Sequence, residues 1–230
     1  SIGGELVDIS RTPGNGQVYD VNSYALAAAA RDAGAEVNRI GIVGSDAKEL
    51  REVMETQLNR SEVVVISGPV GGAAAENLRT VLSGFGQMEV TRIAMHPGSV
   101  QGFGQLGPDG VPTFLLPANP VSALVVFEVM VRPLIRLSLG KRQPMRRVIR
   151  ARALSPIPSV AGRTGFLRGQ LLRDEDTGDY LVEAIGETPG GSSHLLASLA
   201  EANCLVIVAD DVAEVPAGEL VDVAFLAQRG

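Results

Sequence analysis

The strongest constraint on this chain is an alternation, through its first 140 residues, of short β-branched runs with stretches of helical period. Residues 2–7 read as a strand. The alanine-rich 18–33 reads as a helix ending at Gly34, a residue that accepts the left-handed conformation closing a helix. Residues 37–43 form a second β-branched run, and Ser45 or Asp46 can cap a helix reaching about Asn59. A strand over 63–66, a helix after the turn 67–77, strands near 90–95 and 111–116, and a long apolar helix over 121–139 closed by Gly140 complete the series. Such alternation predicts an α/β domain whose mostly parallel sheet is covered by helices on both faces. Ligands of such sheets sit where strand ends meet helix starts, and this chain places its glycine- and proline-rich turns there.

After Gly140 the pattern changes. Residues 148–154, 165–172, 180–185, 204–208 and 220–226 read as short strands separated by turn residues, which predicts a small β-barrel or sandwich. The expected domains are therefore 1–143 and 144–230. Charge is divided within the second part: nine basic residues and no acid from Lys141 to Arg173, then twelve acids and no Lys or Arg from Asp174 to Gln228. Basic and acidic strands lying side by side and pairing across the sheet would explain this; so would a polarised surface for a partner.

The formal net charge of −6 argues against a general nucleic-acid binder. The longest apolar run, 121–131, is interrupted by Glu128 and is too short to span a bilayer, and no secretory signal is expected from the opening residues. Cys204 is the single cysteine and lies in a strand-like apolar run, so a buried thiol is expected rather than a nucleophile. The chain begins at Ser1 inside what already reads as a domain, as expected of a piece of something longer.

Four turns can carry chemistry. In Ser67-Gly-Pro-Val-Gly-Gly, backbone N–H groups at a helix start would face an anion. Glu76 beyond it is either an acid favoured in a first helical turn or a carboxylate for Mg²⁺. His96, Gly98 and Ser99 follow a strand, where the imidazole is either an exposed turn residue or a phosphate contact. Pro117, Asn119 and Pro120 stiffen a third turn, and Asp20 and Asn22 mark a fourth helix start, suited equally to capping and to ligand contact. His194 reads as a turn residue.

Taken in order, these segments resemble the C-terminal part of the molybdopterin molybdenumtransferases and the related E-domain of gephyrin. The matching stretches include Ser1-Ile-Gly-Gly-Glu-Leu, Gly16-Gln-Val-Tyr-Asp, Ser67-Gly-Pro-Val, His96-Pro-Gly and Leu116-Pro-Ala-Asn-Pro-Val-Ser-Ala, then Gly162-Arg-Thr-Gly-Phe-Leu-Arg-Gly and Gly191-Ser-Ser-His. The resemblance implies a three-layer molybdopterin-binding-type domain, a C-terminal β-barrel, a cytoplasmic homodimer, and two N-terminal domains outside this chain. It also implies insertion of molybdenum from molybdate into adenylated molybdopterin, with Mg²⁺. Ser67, Gly68, Gly71, Gly72, His96, Gly98, Ser99, Pro117, Asn119, Pro120, Asp20 and Asn22 would line the pterin nucleotide and its anionic groups, and Glu76 would be the catalytic and metal-polarising acid.

Departures from the family pattern sit at the same turns. Gly4 stands where the family has Asp, and Glu76 where it has Asp. His96 and Ser99 replace two lysines, and Ala118 replaces a glycine. They motivate an alternative expectation: a catalytically impaired, gephyrin-like scaffold holding a partner's peptide, such as a membrane-receptor or cytoskeletal tail, between the α/β and barrel domains.

Overall fold

Backbone pairing sorts the chain into two units in the computed structural model, which describes residues 1–72, 75–186 and 200–226. Ser1–Ile93 and Val100–Pro144 form the first; Ala94–Ser99 and Met145–Gly230 form the second.

In chain order the elements to Pro144 are β1 (Leu6–Val7), β2 (Val18–Tyr19), α1 (Asn22–Ala33), α2 (Ala47–Leu58), β3 (Val64–Gly68), α3 (Glu76–Ser83), β4 (Gly86–Arg92), β5 (Met95–His96), β6 (Val100–Leu106), β7 (Val111–Pro117), α4 (Pro120–Val126) and α5 (Arg132–Ser138). One π-helical turn, Phe127–Val131, joins α4 to α5. The main sheet runs β3-β7-β6-β4. β3 and β7 are parallel, and β6 is antiparallel to both of its neighbours. Beyond β3 the sheet is continued by single backbone bonds, Ile2 N–H to Ser67 O at 2.8 Å and Val43 N–H to Ser1 O at 2.9 Å, with Ile2 and Val43 in a parallel bridge. Parallel character thus fills one half of the sheet, and a β4-β6-β7 meander fills the other.

Helices cover both faces. α2 and α3 bury Leu50, Met54, Leu58, Leu78, Val81 and Leu82 against Ile66 and Leu115. Side chains alternate along a strand, so Phe114 and Leu116 turn to the opposite face, where α4 packs on β7 and α1 packs on α4 and α5. Local chemistry sets the helix ends. Asp46 accepts from the N–H groups of Lys48 and Glu49 to start α2, and Gly34, at φ +104°, ends α1.

Four sequence expectations change here. The strand expected over 2–7 is reduced to Leu6–Val7, with Ile2 in a single bridge to Val43. Over 37–43 only Val43 bridges, in parallel with Ile2, and its N–H bonds the Ser1 carbonyl. Val18 and Tyr19 leave the expected helix to pair with β1. β6, Val-Gln-Gly-Phe-Gly-Gln-Leu, was not expected as a strand: its two glycines blank out the alternation that marks one.

The second unit is built from β8 (Val148–Ala153), β9 (Ile157–Pro158), β10 (Thr164–Arg173), β11 (Tyr180–Ala184), β12 (Cys204–Val208), β13 (Glu214–Val215) and β14 (Leu220–Phe225). The order β11-β8-β14-β12-β10 returns on itself through β10–β11 pairing, closing a five-stranded barrel. β10 closes it by changing partners at Gly169, which pairs with Cys204 of β12 and with Ala184 of β11. A Cβ there would lie 2.9 Å from both Cys204 Sγ and Val206 Cγ2, so only glycine fits the corner. Inside lie Ala151, Leu167, Val182, Cys204, Val206 and Val223. Burial pushes the Cys204 thiol up to about 12, which suits a core residue and not a nucleophile.

Residues 94–99 join this unit because β5 pairs in parallel with β10, Met95 opposite Thr164 and His96 opposite Gly165. On the barrel surface Arg150 of β8 stands opposite Asp222 of β14, with Nε 3.4 Å from Oδ1. At that pair the divided charge of the sequence is a cross-strand ion pair. His194 lies outside the described residues, and among those described no helix is long and apolar enough to cross a membrane.

Candidate functional site

The parallel strands β3 and β7 end side by side, with Gly68 opposite Pro117. Each then leads to a helix, β3 through the glycine turn to α3 and β7 directly to α4. A third helix start, that of α1, is tied to the same corner by side chains. Asn22 donates from Nδ2 to the Ala118 carbonyl at 2.8 Å. Ser1 Oγ donates to Asp20 Oδ1 at 2.7 Å and lies 3.1 Å from Ser67 Oγ. Asp20 and Ser67 are thus joined through Ser1, and Asn22 is bonded to the backbone beside Asn119, 96 positions away in sequence.

Asp20 is the centre of this arrangement, and is 1% exposed. Burial by itself raises a carboxyl's pKa. Here the hydroxyl and N–H of Ser23 and the hydroxyl of Ser1 outweigh it and hold Asp20 below the usual carboxylate range. Ser23 in turn accepts from Arg39 Nη1 at 2.9 Å, and the Arg39 guanidinium stacks 3.9 Å from the centroid of the Tyr24 ring. The Tyr24 hydroxyl donates to Asp8 Oδ2 at 2.8 Å. With the hydroxyl and N–H of Ser10, it brings Asp8 down to about 2. Ser1, Ser23, Tyr24, Arg39 and Asp8 were not expected from the sequence. Only Asp20's place before a helix hinted at them, since a cap implies a donor nearby.

Asn119 caps α4 by accepting from the Ser122 N–H at 3.1 Å, and Pro120 stands in the first helical turn. Pro117 is buried at the end of β7. In the glycine turn, Gly68 is buried so tightly that a Cβ would meet the Ile2 carbonyl at 3.2 Å. Gly71 and Gly72 are exposed, and Gly72 needs glycine for its φ of +74°.

Glu76 stands in the first turn of α3 and is largely exposed, its Oε2 3.0 Å from Arg79 Nη2. No group of three or more His, Cys, Asp or Glu that could hold a metal occurs among the described residues. A resident Mg²⁺ takes six oxygens and usually one or two carboxylates with substrate phosphates. Glu76 by itself, exposed and paired with Arg79, is no protein cage for such an ion, which would need the substrate's phosphates for most of its oxygens.

His96, Gly98 and Ser99 belong to the second unit, in and after β5. All three are half-buried, and Gly98 has φ +88°. The candidate residues thus form two groups, one on each unit.

Comparison with known proteins agrees with this architecture. Residues 1–137 match the family model of a probable molybdopterin binding domain, and residues 150–226 that of the MoeA C-terminal region, domain IV. The chain belongs to the molybdopterin-binding domain family. It is 76% identical over 230 residues to molybdopterin molybdenumtransferase 1 of Mycobacterium tuberculosis, covering 100% of this chain and 54% of the relative. It is 30% identical over 224 residues to the molybdopterin molybdenumtransferase of Haemophilus influenzae, covering 97% of this chain and 54% of that protein. The crystal structure of a molybdopterin biosynthesis MoeA protein from Pyrococcus horikosii superposes with TM-score 0.80 at 30% identity, covering 99% of this chain and 53% of the other. The chain spans about half the length of the curated relatives it matches.

Proposed function

We infer that this chain is the part of a molybdopterin molybdenumtransferase that binds adenylated molybdopterin and receives molybdate, in molybdenum cofactor biosynthesis. The observation that carries this reading is the meeting of the α1 and α4 starts with the ends of β3 and β7 in a chain of that family. The relatives' names are those of transferases, which favours this reading over the gephyrin-like scaffold.

In this reading the turn from Ser67 through Gly72 offers backbone N–H groups to the anionic end of the ligand. Asn119, Pro117 and Pro120 form a stiff floor, and Asp20 and Asn22 hold the α1 start against it. Glu76 is the acid at the far end of the turn. Using it means breaking the exposed pair with Arg79, worth about 0.3–0.5 kcal/mol, less than one charge-assisted ligand bond. His96, Gly98 and Ser99 are proposed as cofactor-binding residues on motif order alone. A homodimer, Mg²⁺ carried on substrate phosphates and a cytoplasmic setting complete the proposal.

Calorimetry with adenylated molybdopterin, and rescue of a strain lacking the transferase by the full-length protein, test it. Binding with rescue is expected; neither binding nor rescue overturns it. Light scattering on the same sample reads the oligomeric state.

A further inference from the structure

The hydroxyl protons around Asp20 can be counted. An ionised carboxylate only accepts, so Ser1 Oγ is the donor in its 2.7 Å bond to Asp20 Oδ1. A serine hydroxyl has one proton. Ser1 has spent its own, so the proton in the 3.1 Å contact between Ser1 and Ser67 belongs to Ser67. Ser67 Oγ therefore donates inward and keeps only lone pairs for any other group. From the other side Arg39 donates to Ser23 and Ser23 donates to Asp20, so every proton of the chain points toward that carboxylate. Asn22 adds a second acceptor. Its Nδ2 faces the Ala118 carbonyl, which cannot donate, so the carboxamide cannot be flipped. Oδ1, in a residue only 7% exposed, is left without a partner.

We propose that the corner formed by Ser1, Asp20, Asn22 and Ser67 accepts hydrogen bonds from a donor edge of the ligand, the amino and lactam N–H groups of a pterin ring, and leaves its anionic groups to the backbone N–H groups of the glycine turn. This rests on the reading of the ligand as a pterin nucleotide. An oxyanion at Ser67 would meet lone pairs, with the Asp20 charge two hydrogen bonds behind them; an N–H meets the acceptor it needs. The Ser67 hydroxyl is thus the acceptor that selects the ring.

The full chain is titrated with two separate probes, pterin, which is neutral and carries N–H donors, and molybdate, which is an oxyanion. Ser67→Ala is expected to weaken pterin about tenfold and to leave molybdate within twofold. Ser1→Ala, which frees the Ser67 proton to turn outward, is expected to weaken pterin and tighten molybdate severalfold. It also keeps the test decisive if Ser67→Ala fails to fold. Neutron diffraction locates the proton itself, expected on the line from Ser67 Oγ to Ser1 Oγ. A proton turned away from Ser1, or loss of molybdate affinity in Ser67→Ala with pterin untouched, overturns the proposal. If the unmodified chain binds neither pterin nor the pterin nucleotide, the functional reading falls and takes this inference with it. If it binds both and the two variants bind pterin as well as it does, this inference alone falls.

Discussion

Asp8, half-buried, and Glu76, exposed, are two acids with different tasks. Three hydrogen bonds, led by those from the Ser10 hydroxyl and N–H and followed by that of Tyr24, hold the Asp8 carboxyl at about 2. The unfolded chain takes up this proton near pH 4. The resulting stability is complete above pH 4 and is lost as pH falls from there toward 2. Asp8→Asn is therefore expected to flatten the urea-midpoint profile across that window and to leave the pH 5–7 region parallel to that of the parent. Glu76 belongs to chemistry in the functional reading. Glu76→Gln is expected to leave the urea midpoint within the range of a surface change, about 0.5 kcal/mol, while cutting molybdenum insertion at least tenfold. Full activity in the variant would return Glu76 to its plain place as a first-turn acid. Asp20 and Asn119 were legible at helix starts because short polar side chains that accept from first-turn N–H groups have a local signature, whereas Asn22, the first residue of α1, caps nothing and bonds the Ala118 carbonyl instead. Ser1 and Ser67 meet across 66 positions, and no local pattern encodes that meeting.

Among the elements, the barrel strands were legible nearly to the residue, since β-branched and apolar residues recur in short runs that turn residues punctuate. β6 was missed for the reverse reason. Its Gly102 and Gly104 lie under β4, where a Cβ at Gly104 would come 2.3 Å from the Gln87 carbonyl, so close approach and not alternation chose its residues. Barrel closure was likewise invisible, because it depends on one strand serving two neighbours through Gly169. Gly169→Val tests that corner. Its side chain would press on Cys204, Val206 and Val182 inside the barrel. A loss of about 1–3 kcal/mol, the usual cost of overpacking, is expected in denaturant unfolding. An unchanged midpoint would mean that the corner has room to spare.

At the scale of the whole molecule each unit has a core of its own among the described residues, one around Leu115 in the first and one around Val206 in the second. Leu115→Ala and Val206→Ala are expected to weaken one core each, the first by about 2–5 kcal/mol. Hydrogen exchange should show the loss confined to the amides of β3 and β7 in one case and β12 and β14 in the other. Protection lost equally everywhere would mean that the units unfold as one. The change of composition near Gly140 was legible as a change of architecture. That residues 94–99 belong with the barrel was not, since only the pairing of β5 on β10 decides it. That pairing has a consequence for heredity. The backbone passes between the two units at three places, after residues 93, 99 and 144. A gene exchange with one breakpoint at the third would deliver a barrel lacking the strand that lies along β10, and leave that strand behind in a host without its partner. A barrel moved on its own therefore needs a recipient that already carries a strand able to lie along β10.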